Sequence, residues 1–157
     1  TIHHKGNYKN GSVDGLWISY YPNGNIMSEG NFEDGLKNGS WITYWDFVPS
    51  LIKSKGNYKN HSKDGTWVEY HKNGKLSHKT HYKNGVVHGP HFAFKDWFDF
   101  GYGYLRAHGQ YKDGKKDGYW IYSSADDVEF DNLEQQGEIQ WVEKYEDGEI
   151  QYTNKPF

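Results

Sequence analysis

Residues 65–85, GTWVEYHKNGKLSHKTHYKNG, decide the fold, because most of the remaining chain is a variation on them. The stretch opens on Gly65 and a short run, Trp67-Val68-Glu69-Tyr70, rich in the aromatic and β-branched residues that suit a pleated backbone. His71-Lys72-Asn73-Gly74 then supplies Asn and Gly where a tight turn needs unusual φ. A second run from Leu76 to Tyr82 leads to another such pair, Asn84-Gly85. The unit is a β-hairpin plus a link to the next hairpin.

Outward from this stretch, six segments align without gaps on its second strand: 1–11, 25–35, 51–61, 75–85, 104–114 and 138–148. Each carries an aliphatic residue second and Tyr or Phe eighth: Ile2 and Tyr8, Ile26 and Phe32, Ile52 and Tyr58, Leu76 and Tyr82, Leu105 and Tyr111, Ile139 and Tyr145. An even separation puts both side chains on the same face of a strand. Between them sits Gly in four copies, Gly6, Gly30, Gly56 and Gly109, where something bulky is expected to cover the backbone. A four-residue connector ending in Gly follows each of the first five segments. The partner strands read LWISY, SWITY, TWVEY, PHFAF and YWIYS from residues 16, 40, 66, 90 and 119. Trp17, Trp41, Trp67 and Trp120 therefore recur at one position, with His91 standing in the fourth copy. Tyr20, Tyr44 and Tyr70 recur near the strand ends.

The turn Tyr21-Pro22-Asn23-Gly24 bears on register. Pro22 favours a type I turn closed by a left-handed Gly24, which sets Tyr20 opposite Ile26, on one face with Ile18, Gly30 and Phe32, and turns Trp17 away. A two-residue Asn23-Gly24 loop would instead slip the pairing by one and lay Trp17 across from Gly30. Either way the chain reads as all-β: an elongated single-layer antiparallel meander of about eleven strands, on the order of 50 Å long, twisted and open. It forms one domain over 1–157, with a partial repeat at 1–11 and repeats at about 12–35, 36–61, 62–85, 86–114 and 115–148. Residues 149–157 read as a C-terminal cap.

Composition agrees with a thin sheet. Only 34% of the 157 residues are hydrophobic but 18% are aromatic, so broad rings must cover one face in place of a thick aliphatic core. The chain has no Cys, which excludes disulfides and thiolate chemistry and leaves the compartment open. No stretch approaches the roughly 20 apolar residues of a membrane-spanning helix, so the mature chain is expected to be soluble. It starts at Thr1 without Met and already inside a repeat, which points to an upstream segment missing from this chain. Net charge is −3, but residues 124–149 hold ten acidic residues and one Lys, leaving the preceding body basic.

The pattern G-x-Y-K-[ND]-G-x-x-[DNH]-G-x-W-[IV]-x-Y…N-G-x-[IL] is carried by Gly56, Tyr58, Asn60, Asp64, Gly65, Trp67, Tyr70, Asn73, Gly74 and Leu76 and by their counterparts. It resembles the MORN repeat, specifically the bacterial variant found in YwqK-like antitoxin proteins. The resemblance implies a role in protein binding, with neutralisation of a toxin as an antitoxin or immunity protein. The alternative is a scaffold or accessory subunit of a larger assembly, one at the cell envelope included. The first places the protein in the cytoplasm; the second, with a signal removed before Thr1, in the periplasm or envelope. The partner is another protein, a toxin or a complex subunit.

Departures from the pattern mark the expected partner surface between residues 88 and 137. The long turn of the fourth hairpin offers Trp97, Phe98, Phe100 and Tyr102, and that of the fifth an acidic arm, Asp126, Asp127, Glu129, Phe130, Asp131 and Glu134. The plain reading of that arm is a solvated loop; the functional one is docking on a basic surface. The Trp row reads as structural, or else as a line of aromatic anchors on a groove. Six of nine His fall between His61 and His91, but His78/His81 and His88/His91 are three apart and face oppositely on a strand, so no metal site is expected. Neither a nucleophile motif nor a phosphate-binding loop occurs, so no catalytic residues or cofactor are expected. The basic excess is too modest and too spread for nucleic acid.

Overall fold

The computed structural model describes residues 3–96, 104–123 and 139–155. They form one antiparallel sheet of twelve strands, each paired with its neighbours in chain order. The strands are β1 (His4–Lys9), β2 (Ser12–Tyr20), β3 (Ile26–Glu33), β4 (Leu36–Tyr44), β5 (Ile52–Lys59) and β6 (Ser62–Tyr70), followed by β7 (Leu76–Lys83), β8 (Val86–Lys95), β9 (Tyr104–Lys112), β10 (Lys115–Ser123), β11 (Ile139–Glu146) and β12 (Glu149–Thr153). No helix occurs among the described residues, and the meander expected from the repeats is the fold. The strand number exceeds eleven by one because Glu149–Thr153, expected as a cap, pairs with β11.

The supposed connectors are strand. Ser12, Leu36, Ser62, Val86 and Lys115 each begin a strand directly after a two-residue turn. At these turns both residues have positive φ, as in Asp34 (47°) and Gly35 (81°), the type I′ geometry whose twist matches the flanking strands. The Gly that ends each connector serves a second irregularity. Pairing runs Gly30↔Trp41 and then Asn31↔Asn38, so Gly39 and Ser40 are extra, and Gly39 adopts φ 74°. The same two-residue break recurs in β2, β6, β8 and β10.

The opposite edge resolves the register in an unforeseen way. Gly24 N–H donates to the Tyr21 carbonyl at 2.9 Å and Gly24 has φ 88°, so the Pro22 turn is the type I loop with a left-handed glycine. Tyr20 accordingly opposes Ile26. The next pair is Ser19↔Ser28, with Met27 bulged out, and this shift brings Trp17 opposite Gly30 after all. Lys53, Ser77 and Arg106 are the equivalent extra residues in later copies. The expectation that the aliphatic second residue and the aromatic eighth share a face is therefore wrong, because the bulge reverses the alternation between them.

Two faces result. One carries Trp17, Gly30, Phe32, Trp41, Gly56, Tyr58, Trp67, Tyr82, His91, Gly109, Tyr111, Trp120 and Tyr145; the other carries Ile18, Ile42 and Val68 with the row Tyr20, Ile26, Tyr44, Ile52, Tyr70, Leu76, Phe94 and Leu105. Burial is concentrated on the tryptophan face: Trp41 and Trp120 are 2% exposed and Trp67 3%, high for a single layer. Successive copies are also stitched at both edges. Each type I′ turn after the first donates back across a strand, as in Gly35 N–H to Val13 O at 2.9 Å and Gly85 N–H to Lys63 O at 2.8 Å. At the other edge Tyr21 Oη donates to the Tyr44 carbonyl at 2.8 Å, and Asn23 Nδ2 to the Asp46 carbonyl at 3.0 Å.

Candidate interaction surface

The tryptophan face is built from a repeated exchange between a glycine and an indole. Each of four glycines lies against the tryptophan of the following strand, Gly6 under Trp17, Gly30 under Trp41, Gly56 under Trp67 and Gly109 under Trp120. A methyl group on any of them would be driven to within 3 Å of ring carbons. The indole N–H of Trp41 donates to Asn31 O at 3.0 Å, that of Trp67 to Asn57 O at 2.9 Å and that of Trp120 to Gln110 O at 3.0 Å. Those carbonyls sit at the two-residue break in the ladder, so the ring satisfies a group that the break exposes.

Between the indoles stand the eighth-position rings, edge-on. Centroid separations run 5.8 Å for Trp17–Phe32, 5.3 Å for Phe32–Trp41, 5.9 Å for Trp41–Tyr58 and 5.0 Å for Tyr58–Trp67. The row resumes with Tyr111–Trp120 at 5.0 Å and Trp120–Tyr145 at 6.5 Å, while Tyr8 closes it at β1. A lysine lies over the rings in three copies. Lys37 Nζ is 4.1 Å from the Trp41 centroid, Lys63 Nζ 4.3 Å from Trp67 and 4.8 Å from Tyr82, and Lys116 Nζ 4.5 Å from Trp120. Each such contact contributes roughly 0.5–1 kcal/mol. Burial lowers the Lys37 pKa and raises those of Tyr58, Tyr82 and Tyr111.

In the fourth copy the exchange is altered. Thr80 replaces the glycine, His91 the tryptophan and Val87 the lysine. Thr80 Oγ1 and His91 Nδ1 are 2.9 Å apart, so the smaller ring makes room for the Thr side chain and bonds to it. The exchange leaves an open pocket of about 370 Å³ lined by Glu69, His78, Thr80, Tyr82, His91 and Tyr111, among others. The His78 and His91 rings lie 5.8 Å apart. Burial holds the His91 pKa below the usual imidazole value, with help from the charges of His78 and Lys116 and against that of Glu69.

A neighbouring hollow of about 310 Å³ lies between Trp45, Lys53, Glu69 and His78. Lys53 Nζ is 4.8 Å and Lys72 Nζ 5.6 Å from the Trp45 ring, and Phe47 and Val48 beside it are 49% and 44% exposed. At the far end Lys116 donates to the Tyr122 hydroxyl at 2.6 Å, and Tyr145 Oη donates to Glu143 at 2.7 Å. Burial pushes Glu143 up, but the Tyr145 and Tyr122 hydroxyls and the Lys116 and Lys155 charges outweigh it and hold its pKa low. On the opposite face Tyr44 Oη donates to Glu29 at 2.5 Å, and burial, with that bond and charge, pushes its pKa to about 12.

The repeat positions named from sequence are thus divided. Tyr8, Trp17, Phe32, Trp41, Tyr58, Trp67, Tyr82, Tyr111, Trp120 and Tyr145 share one face, while Tyr20, Tyr44 and Tyr70 lie on the other. Trp97, Phe98, Phe100, Tyr102, Asp126, Asp127, Glu129, Phe130, Asp131 and Glu134 lie outside the described residues. His78 and His81 face oppositely, opposing Glu69 and Thr66 respectively. Among the described residues no group of three or more His, Asp or Glu is placed to hold a metal. Sequence reasoning missed the three lysines and the pocket. Its signal was available: the internal copy without the glycine is the copy without the tryptophan.

Two segments, residues 13–34 and 63–84, match the MORN repeat variant. They coincide with the hairpins β2–β3 and β6–β7, each closed by a type I loop with a left-handed glycine, Gly24 or Gly74. No curated protein matches the chain.

Proposed function

We infer a binding role from the match of residues 13–34 and 63–84 to the MORN repeat variant. We propose that this protein is a non-catalytic protein-binding module that neutralises a toxin by direct binding, as an antitoxin or immunity protein. The observation that carries a binding role is the tryptophan face, where lysines and tyrosines stand over buried indoles on an open single-layer sheet, with the exposed Phe47 and Val48 in the turn between β4 and β5. Aromatic and cationic groups of this kind dominate protein interfaces. The sequence resemblance supplies the toxin; the long turns supply the specificity, through Trp97, Phe98, Phe100 and Tyr102 and the acidic arm from Asp126 to Glu134. Among the described residues no helix is long and apolar enough to cross a membrane.

A second reading, a scaffold subunit, is favoured by the stitching of successive copies at both edges, which suits a rigid spacer. Affinity purification from the native cell, followed by a growth assay with the recovered partner expressed alone and together with this protein, separates the two. The antitoxin reading expects a partner that arrests growth alone and is silenced by co-expression; a harmless partner contradicts it. Changing the acidic residues between 126 and 134 to Ser or Gln is expected to abolish recovery. Unchanged recovery rules out the acidic arm.

A further inference from the structure

The departures along β6, β7 and β8 do not scatter; they meet at one point. Glu69 stands where other copies have Ser19, Thr43, Ala93 and Tyr122, and His78 where they have His4, Ser28, Ser54, Ala107 and Trp141, so Glu69 is the one acidic residue of its row. These two oppose each other across β6 and β7. Beside them are Thr80 and His91 in place of Gly and Trp, and Val87 at the position of Lys37, Lys63 and Lys116, which Val13 fills in the first hairpin. All five line the pocket of about 370 Å³, whose walls are the Tyr82 and Tyr111 rings. We propose that this pocket seats the side-chain ammonium of a lysine presented by the protein partner.

The chain itself displays the chemistry of such a seat three times. Lys37 lies over Trp41 and Tyr58, Lys63 over Trp67 and Tyr82, and Lys116 over Trp120 and Tyr145, each between an indole and an eighth-position ring. In the fourth copy the corresponding rings are His91 and Tyr111, 5.5 Å apart and edge-on, and the residue at the lysine position ends at an isopropyl group. The Glu69 carboxylate adds a counter-charge to that surface, and its field is felt at both Tyr82 and His91. The nearest ammonium groups on this face, Lys63 and Lys116, are each held by their own rings. Ammonium groups one repeat apart already coexist at Lys37 and Lys63, so a guest between Lys63 and Lys116 extends an existing row. Burial keeps His91 in its neutral form at neutral pH, so the imidazole presents no competing charge.

The proposal rests on the reading of the protein as a protein-binding module, but it fails separately: the toxin test uses the native partner, whereas this one uses a defined probe. The full chain, labelled for NMR, is titrated with Nα-acetyl-lysine methylamide and, in parallel, with Nα-acetyl-norleucine methylamide. The lysine amide is expected to shift the His78 and His91 ring signals and the Trp67 and Trp120 indole N–H signals saturably, while leaving Trp17 unmoved. The norleucine amide is expected to bind at least fivefold more weakly. Glu69→Gln should weaken the lysine amide at least threefold. Val87→Lys, which restores the repeat's own cation, should abolish its binding while the Trp41 indole signal reports an intact sheet. Equal binding of norleucine, no shift at these rings, or undiminished binding to either variant overturns the proposal.

Discussion

Gly56 has an indole where a side chain would stand. Adding a methyl there must displace Trp67, which is 3% exposed and bonded to Asn57 O, so overpacking and a lost hydrogen bond act together. Gly56→Ala is expected to lower unfolding free energy by about 2–3 kcal/mol in urea denaturation. The same change at Gly6, under the less buried Trp17 beside the first strand, should cost less. His61 poses the opposite case. It occupies the second place of a type I′ turn at φ 69°, a position that is Gly in the other turns, and its N–H donates to Lys37 O at 2.8 Å. A side chain in the left-handed region costs about 1 kcal/mol, and Gly keeps the backbone bond. His61→Gly should therefore raise the urea midpoint; a lower midpoint would show that the side chain's contact to the Lys37 N–H at 3.4 Å outweighs the strain.

At the level of the strand, hairpins, turns and the glycine-covering ring could all be read from sequence, because each leaves a composition signal at a fixed spacing. Facing could not. Counting by twos assumes an unbroken pleat, and the bulges at Met27, Lys53, Ser77 and Arg106 are ordinary residues that recur in every copy, so the repeat period hides them. The Pro22 turn was read correctly, yet Trp17 still meets Gly30, because one bulge separates the two pairings. The pocket went unread because its members, Glu69, His78, Thr80 and His91, lie on three strands and converge only when the register is known. One consequence of the strand faces is a sensitivity to alkali. Tyr44 is pushed to about 12, and Tyr21, Tyr58, Tyr82, Tyr111 and Tyr122 are also raised, chiefly by burial. An unfolded tyrosine ionises near pH 10, so the stability these groups contribute is whole below about pH 10 and is lost as pH rises through their folded values. Spectrophotometric titration should show Tyr44, Tyr58, Tyr82 and Tyr111 ionising above pH 10 and only as the sheet unfolds. Titration of all fourteen Tyr as one class would contradict the burial described.

For the whole molecule, the sheet behaves as a row of near-identical units whose stability sums over neighbours, and whose recognition lies in the units that depart from the rule. The central stretch 65–85 therefore plays two parts. Its Gly65, Trp67 and Tyr82 belong to the scaffold, whereas Glu69, His78 and Thr80 are departures from it that share one pocket. His91 gives the molecule a mild acid sensitivity as well. Its folded pKa is depressed, so its contribution is whole above about pH 6.5 and is lost as pH falls through the folded value. Burial is the main cause, with His78 and Lys116 adding to the depression and Glu69 opposing it, and His91→Gln should flatten the slope of stability between pH 7 and pH 5. The central claim is that glycine and tryptophan form a matched pair in every regular copy, and that Thr80 with His91 is a matched replacement. Urea denaturation of four proteins tests it: the parent, Thr80→Gly, His91→Trp and the double variant. The account predicts that each single variant is less stable, the first by loss of the Thr–His bond and the second by collision of the indole with the Thr80 side chain. The double variant should equal or exceed the parent, with a coupling of about 1–3 kcal/mol between the sites. Additive losses, leaving the double variant the least stable of the four, would contradict it.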